Sequence, residues 1–214
     1  MGVETTKQKI LTEALKLFSQ NGYEAVSVEQ IANAVGIKAP SLYKHYKGKR
    51  DIFDHILQRM NEMDLERAKK YEMPEGDLNK IASAYCETPI EKIKTYSISL
   101  FLHWTEEEFS GNFRKMLTLE QYRNPEMSQL YQQYLSGGPL QYMAELFGSM
   151  TGETNDSIQI ALEFYGPIFL LYSAYDGADN KEIIIAALKQ HIDRFSQQLD
   201  SAMPKESAKN DVEA

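Results

Sequence analysis

Apolar residues recur at intervals of three and four along almost the whole chain, and no segment keeps the strict alternation of a half-buried strand, so helices are predicted nearly throughout. Lys7 to Asn21 carries Ile10, Leu11, Ala14, Leu15, Leu17 and Phe18 on one stripe, and Asn21-Gly22 ends it. A second, narrower stripe follows. Ser27 can cap a helix while Gln30, three residues on, bonds back to it, so a helix starts at Val28 and turns Ile31, Ala32 and Val35 inward. Gly36 supplies the left-handed conformation that stops this helix, and Ile37 returns to the core. Pro40 suits the first turn of a short third helix, where its missing amide hydrogen costs nothing, and Leu42 and Tyr46 form the buried pair.

Beyond this compact trio the periods lengthen. Lys49 to about Tyr71 reads as one long helix with Ile52, Phe53, Ile56, Leu57 and Met60 inward, ended by Met73-Pro74-Glu75-Gly76. Leu78, Ile81, Ala82 and Tyr85 mark a short amphipathic helix. Thr88, read as a cap before Pro89, opens the next, which runs through Ile90, Ile93, Leu100 and Trp104. Further helices are predicted near Glu106 to Leu119 and Pro125 to Phe147. Two long helices close the chain: Asn155 to Tyr175, apolar over much of its circumference and expected to kink at Gly166-Pro167, and Lys181 to Ala202, with Ile184, Leu188, His191, Ile192, Phe195 and Leu199 on one stripe. The polar end after Met203 has the composition of a disordered tail.

The third helix of the first trio turns a different chemistry outward. Lys38, Ala39, Ser41, Tyr43, Lys44 and His45 lie on or near the side opposite Leu42 and Tyr46, and Lys49 follows Gly48. Donors, cations and small side chains on one short helix suit a DNA major groove, with Ala39 and Pro40 against thymine methyls and the rest on base edges or phosphates. Charge agrees with this division. Residues 1–50 hold eight Lys or Arg against four Asp or Glu, a net +4, whereas the remaining chain holds 15 against 27, a net −12. A basic end on an acidic body binds a polyanion locally and is oriented by the repulsion elsewhere. A single cysteine excludes an internal disulfide framework, and no signal-peptide pattern or uncharged run of membrane-spanning length occurs, so the expected location is cytoplasmic with no membrane partner.

The N-terminal run through NGYEAVSVEQIANAVGIKAPSLYKHYKGKRDIFDHIL resembles the tetracycline-repressor-like (TetR) family of bacterial transcription regulators over about residues 7 to 57. Phe18, Gly22 and Tyr23, the Val28, Ile31, Ala32 and Gly36 frame, and the block Leu42-Tyr43-Lys44-His45-Tyr46 with Lys49 and Ile52-Phe53 carry the likeness. The resemblance implies an all-α fold: an N-terminal three-helix helix-turn-helix DNA-binding domain (1–50), a C-terminal helical effector-binding and dimerisation domain (51–203) and a tail (204–214). It implies that Ser27 bonds a phosphate, that Ala39, Pro40, Ser41, Tyr43 and Lys44 line the groove beside Lys38, and that His45 with Lys49 holds the backbone. The last two long helices carry more apolar surface than one core can cover, which suggests a partner, and in the resembled family they pair with their symmetry mates. The expected homodimer interface is Ile158, Leu162, Tyr165, Ile184, Leu188, His191, Ile192 and Phe195.

The middle of the chain is dense in aromatics and methionines. Together with the resemblance, a subset is expected to line a pocket for a small apolar or aromatic effector: Trp104, Phe113, Met116, Tyr122, Tyr142 and Phe169, with His103 adding a polar contact. The resulting expectation is a ligand-responsive DNA-binding regulator, most simply a repressor that binds a near-palindromic operator on double-stranded DNA as a homodimer and releases it on binding effector. The alternative is a DNA-binding organiser or interaction factor with no small effector. An enzyme is not expected, since Cys86 has no evident partner and no phosphate cradle or paired-histidine motif occurs, and no cofactor is implied. His103 and Glu107 have the spacing of metal ligands on one helix, but a lone pair is not read as a metal site.

Overall fold

The computed structural model describes residues 5–74, 76–152 and 155–202; the tail after Met203 lies outside the described residues. The described residues form eleven helices and no strand: α1 Thr6–Asn21, α2 Val28–Val35, α3 Ala39–Leu42, α4 Lys49–Lys70, α5 Leu78–Glu87, α6 Ile90–Glu106, α7 Glu108–Glu120, α8 Pro125–Leu135, α9 Gly137–Thr151, α10 Ser157–Gly177 and α11 Lys181–Ala202. The protein is all-α. Its contacts group into two compact units. One comprises residues 1–70 and 102–134 and the other 71–101 and 135–214, so the chain passes between them at the end of α4, inside α6 and at the end of α8. Compactness therefore cuts the chain differently from a division at residue 50, because α4, α7 and most of α8 fold with the N-terminal helices.

In the first unit, local chemistry sets each helix end. Thr5 and Gln8 close a capping box at the start of α1, and Ser27 and Gln30 do the same for α2, with the Gln30 amide donating to Ser27 Oγ at 3.2 Å and the Ser27 amide donating to Gln30 Oε1 at 2.7 Å. Gly36 ends α2 at φ 82°, ψ 28°, and the Ile37 amide reaches back to Ala32 O at 2.9 Å. The third helix is shorter than its sequence suggests. Regular helix stops at Leu42, and tight turns carry the chain on, His45 N donating to Leu42 O at 2.8 Å and Tyr46 N to the same oxygen at 3.1 Å. Ile10, Leu15, Phe18, Ile31, Leu42, Ile52, Phe53 and Ile56 are completely or almost completely buried, and each such side chain contributes about 1.5–3 kcal/mol of apolar burial. Tyr23 joins α1 to α4, its ring centroid 5.0 Å from Phe18 and 5.2 Å from Phe53. Helix α7 packs on α1, where Ser19 Oγ meets Asn112 Oδ1 at 3.2 Å and Glu120, only 3% exposed, abuts Gly22.

The second unit stacks α9 on α10, α5 on α9 and α10 on α11. Helix α10 continues past Pro167 as one helical segment of 21 residues. Two expectations are corrected here. The stretch from Pro125 to Phe147 is two helices, because Ser136 leaves helical geometry at φ −131°, ψ −97° and Gly137-Gly138-Pro139 restarts the chain as α9. Thr88 ends α5 instead of capping α6: its hydroxyl donates to Ala84 O at 2.7 Å, and Pro89 O receives the first amides of α6, from Lys92 at 2.9 Å and Ile93 at 3.3 Å.

Candidate nucleic-acid interface and internal cavity

The turn from α2 into α3 places the predicted groove-facing residues on one exposed strip. Leu42 and Tyr46 are buried, at 0% and 1% exposure, and Tyr46 is pinned by a 3.0 Å hydrogen bond from its hydroxyl to Lys7 O. With these two anchored inward, Lys38, Pro40, Tyr43, Lys44 and His45 are exposed and Ala39 and Ser41 half-buried. Tyr43, a large aromatic that is half exposed, has the surface character of a contact residue. Ser27 is exposed at the start of α2, where its oxygen accepts the cap bond and leaves its own hydrogen free to point outward.

Lys49 sits differently from the expectation. Its ammonium donates to Tyr23 O at 2.9 Å and Glu24 O at 3.3 Å and lies 4.5 Å from the centre of the Tyr23 ring, so it ties the end of α1 to the start of α4. A side chain so occupied is a clamp within the fold before it is a phosphate ligand. Arg50 is engaged as well, by Asp54 at 2.8 Å and Glu126 at 2.6 Å, and that pairing lowers the Glu126 carboxyl below its ordinary pKa despite some desolvation. Sequence reasoning passed over Lys47. It is exposed between the third helix and α4, and its place in the basic run from Lys44 to Arg50 was the available signal.

The second unit encloses a cavity of about 310 Å³ between α5, α6, α9, α10 and α11. Its walls are mostly apolar and aromatic, with Tyr85, Tyr96, Phe101, Phe147, Phe164 and Tyr172 among them. Rings brace one another around it: Phe101 stacks on Tyr172 at 5.2 Å, and Phe147, Phe164 and Phe195 meet at 4.8–5.5 Å. Burial pushes the Tyr85 phenol well above its usual pKa, helped by Tyr142 and Tyr96, so it remains neutral.

None of the seven residues expected to bind effector lines this cavity. Trp104, Phe113 and Met116 are core of the first unit, where Trp104 and Phe113 both pack on Tyr134 with centroids 6.4 and 5.2 Å away. His103 is completely buried in an ionic cluster, with Nδ1 2.8 Å from both Arg67 and Glu107 and Nε2 3.5 Å from Asp64, which is why its spacing from Glu107 resembled a ligand pair. Tyr122 is 90% exposed in the turn after α7, and Tyr142 and Phe169 face outward at 38% and 39%. Helical periodicity marks a residue as apolar-facing without saying which interior it faces.

The expected dimer residues divide. Ile158 and Leu162 are exposed along α10, continuous in helical register with Phe169 and Leu170, and Ile183 is exposed on α11. Leu188, Ile192 and Phe195 turn inward at 0–6% exposure, Tyr165 and Ile192 line the cavity, Ile184 is half-buried, and His191 bonds Phe164 O at 2.8 Å through Nε2. The inward stripe of α11 is therefore satisfied within the chain, and its apolarity came from the cavity and core of its own unit.

The profile described as "Bacterial regulatory proteins, tetR family" matches residues 10–56, which hold α1 to α3 and the first turns of α4. Residues 10–56 carry the N-terminal domain of the tetR family. Over 72 residues it is 38% identical to the HTH-type transcriptional regulator AcrR of Shigella flexneri, covering 32% of this chain and 34% of AcrR. Over 132 residues it is 28% identical to IcaR of Staphylococcus aureus, the HTH-type negative transcriptional regulator of the biofilm operon icaADBC, covering 58% of this chain and 69% of IcaR. The chain thus spans about a third of AcrR and about two thirds of IcaR. The crystal structure of AibR in complex with isovaleryl coenzyme A and operator DNA superposes with a TM-score of 0.58 at 19% identity, over 86% of this chain and 96% of AibR. The chain therefore has a helix-turn-helix at its N-terminus, and the all-α fold extends along most of its length. Both AcrR and IcaR bear the name of HTH-type transcriptional regulators.

Proposed function

We propose that the protein is a ligand-responsive repressor that grips a near-palindromic operator as a homodimer and releases it when a small apolar molecule enters the cavity of the second unit. The observation that carries this reading is the pairing of an exposed Lys38 to His45 strip on a fully formed helix-turn-helix with an aromatic-walled cavity in the same chain. IcaR, a negative regulator, supports the sign, and AibR, crystallised with a ligand and operator DNA, supports the coupling of an effector to DNA. The cavity favours this reading over a DNA-binding organiser, whose body would be filled.

On DNA, Tyr43, Lys44, Ser41, Ala39 and Pro40 meet the major groove, Lys38 flanks it, and Ser27, His45 and Lys47 hold phosphates. Lys49 supports the corner they stand on. Two such heads set about 34 Å apart read successive groove faces, which a twofold dimer supplies. The exposed apolar strip of Ile158, Leu162, Phe169 and Leu170, with Ile183, is the surface for the second copy. The regulator acts in the cytoplasm, where bacterial DNA lies.

Effector release requires differential affinity between two conformations. A hundredfold loss of DNA affinity needs about 2.7 kcal/mol of such difference. The test is selection of bound fragments from random DNA, followed by titration of the recovered site with and without a saturating cavity ligand. A twofold-symmetric motif whose affinity falls with ligand supports the proposal. A symmetric motif with unchanged affinity would remove the effector, and no recovered motif would remove operator recognition.

A further inference from the structure

We propose that the cavity selects lipophilic organic cations over neutral molecules of the same shape, and those over carboxylates. This rests on the reading of the cavity as an effector site and adds the charge of its occupant. Among the described residues no lysine, arginine or histidine lines the cavity, whereas Asp200 does, beside Ser196 and Leu199 near the end of α11. A carboxylate or phosphate ligand entering such walls would shed its hydration and find no cation to replace it. An ammonium head placed toward Asp200 keeps a counter-charge, and its substituents meet ring faces that attract cations.

The ring faces of the phenolic walls favour the same sign. Tyr85, Tyr96, Tyr165 and Tyr172 all line the cavity, and the Tyr165 hydroxyl spends its hydrogen on Leu135 O at 2.8 Å. Nearby cations are committed elsewhere: Lys94 to Glu91 at 2.9 Å and Asp193 at 3.0 Å, and Lys92 to Glu72 at 3.0 Å. The charge of the enclosing unit points the same way. Residues 71–101 and 135–214 hold eight Lys or Arg against 17 Asp or Glu, a net −9, which leaves +1 for the unit that carries the helix-turn-helix. A field of that sign concentrates cations around the second unit and depletes anions.

Three ten-carbon probes of one shape class separate the possibilities: decyltrimethylammonium, 1-decanol and decanoate, each titrated calorimetrically into the full chain below its micelle concentration and at neutral pH. The cation is expected to bind at least about fivefold tighter than the alcohol and decanoate at least about tenfold weaker than it, in the range that one counter-charge and ring contacts supply. Asp200→Asn should weaken the cation about three- to fivefold and leave decanol unchanged. Ser97→Phe, which fills the cavity from α6, should weaken all three. Decanoate binding tightest, or D200N weakening cation and alcohol alike, would overturn the charge preference while leaving the effector cavity in place. Binding that Ser97→Phe does not touch, or no binding by any probe, would overturn the cavity as an effector site and the charge preference with it.

Discussion

Gly22→Ala is the sharpest perturbation of the DNA-binding unit, because two separate penalties meet at one methyl group. Gly22 closes α1 at φ 87°, ψ 152°, a region that residues with a Cβ almost never enter, and holding one there costs about 1–3 kcal/mol. An added Cβ would also stand 2.3 Å from Glu120 Oε1 on α7, so the carboxylate must move. Glu120 is only 3% exposed, and shifting a packed side chain costs about 1 kcal/mol or more. The sum is about 2–4 kcal/mol, or a fall in Tm of very roughly 4–15 °C for a chain of this size. The chain has one tryptophan, and Trp104 is buried in this same unit, so its fluorescence in urea reports the unit directly. Glu120→Ala separates the two penalties. In the double variant the steric part vanishes and the backbone part stays, giving a favourable coupling of about 1 kcal/mol between the sites. A Gly22→Ala protein within about 0.5 kcal/mol of the parent would refute both the conformation assigned to Gly22 and its contact with α7.

The remaining predictions use the same molecule. Lys47→Ala should weaken DNA binding and lower the slope of log affinity against log salt by about one, whereas Tyr43→Ala should weaken binding with the slope intact; equal slopes would take Lys47 off the phosphates. Lys49→Ala should act through stability, removing charged hydrogen bonds to Tyr23 O and Glu24 O and costing about 1–2 kcal/mol in urea denaturation, and an unchanged midpoint would contradict the clamp. Glu107 is desolvated, which raises its pKa, but hydrogen bonds from His103 and Arg67 outweigh this and leave it below its ordinary 4.5. A carboxylate depressed in the folded state stabilises above its unfolded pKa and loses that contribution as pH falls through the folded value, so stability by Trp104 fluorescence should decline below about pH 4.5, and Glu107→Gln should flatten that decline.

Much of the first unit was legible because its signals are local. A capping box, a left-handed glycine and two buried positions four apart are each set within a few residues, and Ser27-Gln30, Gly36 and Leu42-Tyr46 appear in the structure as the sequence implies. Lys49 shows where local reading stops. Its distance in sequence from Tyr23 is 26 residues, and nothing along the chain signals that a backbone oxygen so far upstream will take its ammonium in place of solvent or a phosphate. The break at Ser136 was legible and went unread: two glycines and a proline in succession outweigh the apolar period that runs past them.

The cavity marks a different limit. Periodicity assigns Trp104, Phe113 and Phe164 alike to an apolar face, yet the first two are core of one unit and the third walls a void in the other. What separates them is the passage of α6 from one unit to the other between Phe101 and Leu102, in the middle of an unbroken helix. A stripe that stays apolar across that point carries no mark of the change, so residues only three apart, Phe101 and Trp104, serve a cavity wall and a solid core. Charge does carry a mark. Described lining residues without a single cation, inside a unit of net −9, follow from composition once the boundary is known, and it is the boundary that turns a list of aromatics into a chemically selective chamber.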